Sequence, residues 1–196
     1  MMKFINNYLI DLQKLIDNFD KRKINLLVKN LIQVKKKKGR LFIIGVGGSA
    51  GNASHAVNDF RKICEIESYA PTDNVSELTA RTNDEGWDNS IHPYLRVSKL
   101  NKNDALLIFS VGGGNKKKNI STNLVKAIDF AQKKKAKVLA VVGKSDGYAA
   151  KKADCCFILP KTKKKIYLTP FSETVQPLIW HLLVTHPDLQ KNRTTW

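Results

Sequence analysis

Apolar residues recur at intervals of three and four from Phe4 through Ile5, Tyr8, Leu9, Leu12, Leu15 and Ile16 to Phe19, which predicts an amphipathic helix over 2–19. A second helix is predicted over 22–36, ending in a lysine run with Gly39 as its stop signal. From Arg40 onward, short apolar runs alternate with helical stretches. A strand at 41–45 leads to a helix at about 49–64, and a weaker strand near 75–79 leads through the turn NDEGWDN to a helix near 89–99. Strands at 105–110, 137–143 and 155–160 are separated by helices at about 120–134 and 147–152, and a last helix runs through VQPLIWHLLVTH. Unbroken apolar strands separated by helices argue for a parallel sheet covered on both faces. The expected fold is therefore α/β, a three-layer sandwich with a five-stranded parallel sheet. The doubly wound core is expected over 40–187, after N-terminal helices in 1–38, with the whole of 1–196 as a single domain. The stripes of the first two helices need a partner; a subunit interface is one solution and packing within the chain is another.

Composition narrows the class. A chain of 196 residues that is 42% apolar can build one sizeable core. No stretch approaches the ~18–20 consecutive apolar residues of a membrane span. The N-terminal MMKFINNYLIDLQKL interrupts its apolar residues too often for a secretory segment, so a cytoplasmic location is expected. The formal net charge of +17 invites a nucleic-acid reading. The lysines, however, lie in dispersed runs (35–38, 116–118, 133–135, 163–165) at expected helix ends and turns, without an aromatic-interleaved basic stripe. They read as solvated faces, with attraction of an anionic substrate as a second role. Cys64, Cys155 and Cys156 lack C-x-x-C spacing, and adjacent cysteines in a strand point to opposite faces, so all three read as reduced packing residues.

Two expected strands, 41–45 and 105–110, end in glycine-rich turns, GVGGSA and VGGGN. Such turns let backbone amides approach an anion, and the helix that follows favours negative charge at its start. The first turn satisfies G-x-G-x-x-A, a dinucleotide fingerprint that also requires an acid ~20 residues on, at the tip of a second strand. Glu65 and Glu67 lie at that distance, but residues 62–71 make a poor strand. A smaller anion, such as a sugar phosphate held between the two turns, is the better reading.

Taken in order and spacing, GVGGSAGNASH, TARTNDEGW, SVGGGN and ETVQPLIWHLL resemble the sugar isomerase (SIS) domain family, in its phosphoheptose isomerase branch. The resemblance covers about residues 5–186. It implies a flavodoxin-like sandwich, a homotetramer with sites between subunits, a phosphorylated sugar as substrate, and a divalent metal, usually zinc. The implied reaction is aldose–ketose isomerisation through an enediol, with sedoheptulose 7-phosphate and D-glycero-D-manno-heptose 7-phosphate as the pair. The resemblance places substrate contacts at Val46, Gly47, Gly48 and Ser49, where Val46 replaces the family's asparagine. Further contacts fall on Asn83 and Asp84, on the phosphate loop Ser110, Val111, Gly112, Gly113, Gly114 and Asn115, and on Glu173. The implied metal set is His55, Asp59, Glu173 and His181, with Asp59 as base and His181 as acid. Asp59 stands where the family has a glutamate, and Glu173 where it has a glutamine.

The chain departs most at the phosphate loop, which is poor in hydroxyls and is followed by the insertion KKKNIST; Lys116–Lys118, Ser121 and Thr122 are candidates to replace the missing contacts. Plainer readings stand beside these. His55 can be a hydrogen-bonding helix residue, Asp59 a surface acid, His181 a core histidine and Glu173 a first-turn acid; His92 and His186, each before a proline, read as structural. The alternative function is a non-catalytic module that binds a sugar phosphate or docks a protein.

Overall fold

The computed structural model describes residues 2–193, so Met1 and residues 194–196 of the expected domain lie outside the described residues. Helices α1 (Met2–Asp17) and α2 (Lys21–Lys36) come first, with the Asp20 carboxylate capping α2 by accepting from the Arg22 amide. The end of α2 differs from expectation. Lys38, not Gly39, takes the left-handed conformation (φ 50°), and the Gly39 amide closes the helix by donating to Val34 O at 2.9 Å. Glycine is required at 39 for proximity instead, since a Cβ there would lie 1.9 Å from Asn103 O.

The sheet is five-stranded and parallel throughout, in the order β2-β1-β3-β4-β5, with β1 Leu41–Ile44, β2 Ser68–Tyr69, β3 Ala105–Ser110, β4 Lys137–Val142 and β5 Cys155–Ile158. The expected strand near 75–79 is instead the start of α4 (Val75–Glu85). Its start signal was present in the chain: Asn74 accepts from the Glu77 amide, and Arg81 pairs with both Glu77 and Glu85 one turn away on either side. The second strand, Ser68–Tyr69, lies within residues 62–71, the stretch expected to make a poor strand. Two residues suffice at a sheet edge, where only one neighbour has to be satisfied.

Strand alternation divides the core. Leu41, Ile43, Leu107, Phe109, Leu139, Val141, Cys155 and Phe157 face one way, toward α2, α3 (Gly48–Cys64) and α8 (Leu168–Val184). Phe42, Ile44, Leu106, Ile108, Val138, Ala140 and Cys156 face the other, toward α5 (His92–Val97), α6 (Thr122–Lys133) and α7 (Tyr148–Lys152). The neighbouring cysteines thus serve opposite faces, and all three thiols are free and buried; burial pushes Cys64 up to about 11 and Cys156 up to about 12. Helix α2 packs within the chain through Ile24, Leu27, Val28, Leu31 and Val34, while α1 leaves Met2, Phe4, Leu9 and Ile10 exposed.

Helix α8 starts at Leu168, seven residues before the expected start at Val175, and carries Pro177 in its interior. A proline there has no amide to offer the carbonyl four residues back. That carbonyl belongs to Glu173, and it finds a donor outside its own helix.

Candidate functional site

The site begins at the first glycine turn, between β1 and α3. Gly47 stands at φ 64°, ψ −130°, a conformation open essentially to glycine alone, and it lets the chain reverse into α3. From that start, Ser49, Asn52, His55 and Asp59 follow along α3, and Glu173, Gln176, Trp180 and His181 meet them from α8. The freed Glu173 carbonyl accepts from Asn52 Nδ2 at 2.9 Å. The same amide donates to Gln176 Oε1 at 2.8 Å, and Gln176 Nε2 donates to Ser49 Oγ at 3.0 Å. Ser49 and Gln176 are 2% and 1% exposed, so this is a sealed polar clamp in which every partner is specified.

Further along the two helices the clamp opens into a triangle. Asp59, only 8% exposed, accepts from Trp180 Nε1 at 2.9 Å through Oδ2 and from Asn58 Nδ2 at 3.1 Å through Oδ1. His55 Nε2 lies 3.6 Å and His181 Nε2 3.4 Å from Asp59 Oδ2, and both imidazoles are more than half exposed. An indole N–H and a side-chain amide thus hold a buried carboxylate at the floor, and two imidazoles open to solvent above it. The ring centroids of His55 and His181 are 5.6 Å apart.

Ligand atoms of His55, Asp59 and His181 all lie within 4.8 Å of one another, so these three could hold a metal ion. Metal–ligand bonds of ~2.0–2.1 Å at tetrahedral angles place donor atoms about 3.3–3.4 Å apart. The two His–Asp separations are close to that value. Glu173 is not part of the group. Its carboxylate lies over the start of α3, where a Cβ on Gly48 would come within 2.5 Å of Oε2. It thereby occupies the position where the positive end of the α3 dipole would favour an anion.

The second turn, between β3 and α6, is organised differently. Ser110 Oγ accepts from the Gly113 amide at 2.9 Å, and Gly113 and Gly114 have φ of 72° and 77°. Their carbonyls accept from the Ala149 and Tyr148 amides at 2.8 Å each, tying the turn to α7. The insertion then closes a small hairpin through mutual amide–carbonyl bonds of Asn115 and Ile120, at 2.8 and 3.0 Å. The Thr122 hydroxyl is already engaged by Asp88, so it does not replace a lost phosphate contact.

Asn83 and Asp84 lie exposed at the end of α4, bonded to each other at 2.8 Å, and no hydrogen bond or ion pair among the described residues joins them to the triangle. His186 Nδ1 accepts from the Asp188 amide, a local structural contact. Asn52, Gln176 and Trp180 are the residues that sequence reasoning missed. One signal was available: a proline inside an apolar helix implies a carbonyl in search of a donor, and Asn52 sits one helical turn beyond the glycine turn.

With this geometry established, the likenesses to known proteins fall into place. A SIS domain family model matches residues 4–143. Phosphoheptose isomerase of Rhodospirillum rubrum is 31% identical over 152 residues, covering 74% of this chain and 73% of that protein. Lincomycin biosynthesis protein LmbN of Streptomyces lincolnensis is 30% identical over 155 residues; the match covers 74% of this chain but only 54% of LmbN. Among solved structures, a phosphoheptose isomerase from Neisseria gonorrhoeae superposes with a TM-score of 0.81 over 93% of this chain and 97% of that one, at 21% identity, a likeness of fold. The flavodoxin-like strand order, the glycine turn and the matched sequence agree: this chain belongs to the SIS domain family.

Proposed function

We propose that the protein is an aldose–ketose isomerase acting on a phosphorylated sugar, with sedoheptulose 7-phosphate and D-glycero-D-manno-heptose 7-phosphate as the substrate pair. The observation that carries this reading is the His55–Asp59–His181 triangle, lying between the first glycine turn and the last helix of a chain about 30% identical to phosphoheptose isomerases. Isomerisation needs a base that takes a proton from one carbon and returns it to the next, and an acid that exchanges protons with the two oxygens. The Asp59 carboxylate is fixed by Trp180 and Asn58 with its Oδ2 edge toward the opening, which suits transfer of the C1 proton to C2. His181, 3.4 Å away and exposed, is placed to protonate the oxygen on C2 and to accept the proton from the oxygen on C1. The enediol between these steps has no net loss of atoms or electrons. Ser49 and the amides at the start of α3 would orient the sugar, and Asn83 and Asp84 would reach it only from a neighbouring subunit in an oligomer.

In a metal-bound form, His55, Asp59 and His181 would instead hold a divalent ion, in place of proton exchange through His181 Nε2, with zinc the best match to two imidazoles and a carboxylate. Such an ion supplies polarisation of the carbonyl and charge stabilisation of the enediolate oxygen. Glu173 lies over the α3 start, outside this group of donors. A tetramer, a cytoplasmic location and a single domain over the whole chain belong to the same proposal; no helix among the described residues is long and apolar enough to cross a membrane. Purified protein incubated with sedoheptulose 7-phosphate, with and without added zinc, should form the aldose, and absence of conversion in both conditions would reject the reading.

A further inference from the structure

Trp180 is fully buried, yet its indole touches all three members of the triangle. Its Nε1 donates to Asp59 Oδ2 at 2.9 Å, and its ring meets those of His55 and His181 edge to face, with centroids 5.3 and 5.0 Å away. The same ring lies 5.7 Å from that of Phe109 on β3, tilted by 30°, so the sheet backs it. An indole carries a single polar hydrogen, and burial removes the water that could bond it, so Asp59 is the partner on which Trp180 depends. Asp59 stands on α3 and Trp180 on α8, so the bond also spans the two helices that form the site.

The carboxylate depends on the indole in turn. The last torsion of an aspartate has a broad, roughly two-fold profile, so the side chain alone does not decide which oxygen faces the opening. Two donors bear on it. Asn58 Nδ2 bonds Oδ1 at 3.1 Å, but Asn58 is exposed and can exchange this bond for one to water. The buried indole cannot. Both imidazole nitrogens lie within 3.6 Å of Oδ2, the oxygen that the indole holds. We propose that Trp180 is a positioning residue whose N–H fixes the rotation of the Asp59 carboxylate, so that Oδ2 is presented to the imidazoles and to the reacting carbons. Trp180 acts through Asp59 and needs no contact with substrate. Its consequence for turnover rests on the isomerase reading, whereas the anchoring of Asp59 does not.

Two replacements at position 180 separate the N–H from the ring. Trp180→Phe removes the N–H together with part of the ring. Benzothienylalanine, in which sulfur stands for the N–H, keeps the size of the ring and removes the donor alone. At equal folded fraction by circular dichroism, kcat with sedoheptulose 7-phosphate should fall about 10- to 100-fold in both, with KM unchanged, as expected when a reacting group loses the partner that orients it. Wild-type kcat in the benzothienylalanine protein would reduce Trp180 to packing and overturn the proposal; so would a loss carried by KM. A second arm needs no turnover. In the full chain labelled with nitrogen-15 and kept in chelator, the Trp180 indole N–H resonance is identified by its absence from both variants. It should move upfield in D59N, where a charged acceptor becomes a neutral one. A resonance that stays in place would overturn the anchoring. Absence of turnover in the wild type would reject the isomerase reading by itself, and the resonance would then decide the role of Trp180.

Discussion

The two glycine turns leave adjacent strands of one sheet, yet they are built in different ways. The first is short, runs straight into a long helix, and is sealed by buried side-chain bonds among Ser49, Asn52 and Gln176. The second is long and closed by backbone bonds to α7 and within a hairpin, and it presents lysines to solvent. A proton-transfer site must hold a few atoms within tenths of an ångström, which favours a clamp of short, buried, fully paired groups. An anion can be held by long cationic side chains that adapt around it. The first turn thus leads to an imidazole–carboxylate pair beside buried, paired side chains, whereas the second carries exposed lysines on a hairpin tied by backbone bonds.

The largest break in this comparison is at Asp59. D59N preserves the shape and can still accept from Trp180, but it removes the base; turnover should fall about 10³-fold, in the range for loss of general base catalysis, while the melting temperature changes little. Next comes the clamp. Q176L leaves Ser49 and Asn52 short of a buried partner each, and urea denaturation should show a loss of about 2 kcal/mol. Similar in size is the contrast between the turns themselves. G47A forces a side chain into a conformation reserved for glycine and should cost about 1–3 kcal/mol. G112A, at a glycine without positive φ and with no heavy atom within 4 Å of an added Cβ, should be neutral or stabilising by up to about 1 kcal/mol. The two values, measured in the same denaturation assay, should differ in sign or at least clearly in size.

The smallest effect lies outside both turns, at His92. Burial, with the nearby charges of Lys126 and Arg96, holds its imidazole below the ordinary value of 6.5, and its Nδ1 is buried with no hydrogen-bond partner among the described residues. The unfolded chain therefore binds a proton more readily than the folded one. Stability is fully present above pH 6.5 and declines as pH falls from there toward the lowered folded-state value. H92Q should flatten that acid-side decline in thermal melts between pH 7 and 5, and an unchanged slope would assign it to other groups.

Much of this architecture was legible in the chain because strong periodicity is a local property. The strand 105–110 lies where its apolar run ends, and the split of Cys155 and Cys156 between two faces follows from strand alternation. What the pattern missed depended on partners distant in sequence. A two-residue edge strand has too few positions to show alternation, and α4 was hidden because none of its residues is fully buried, leaving the Asn74–Glu77 cap and the Arg81 pairs as its signals. In the site, the family pattern pointed to His55, Asp59 and His181, which the fold brings together. It could not show that Glu173 would turn to the α3 start, or that Pro177 would free a carbonyl for Asn52. Those outcomes are set by how two helices cross.

The central claim is that Asp59, at the floor of two imidazoles, moves a proton between neighbouring carbons of a sugar phosphate. The most direct measurement follows sedoheptulose 7-phosphate by NMR in the presence of wild-type protein and of folded D59N, each with zinc and with chelator. The account predicts reversible formation of the aldose phosphate by the wild type and its near-complete loss in D59N. Undiminished conversion by D59N would contradict it.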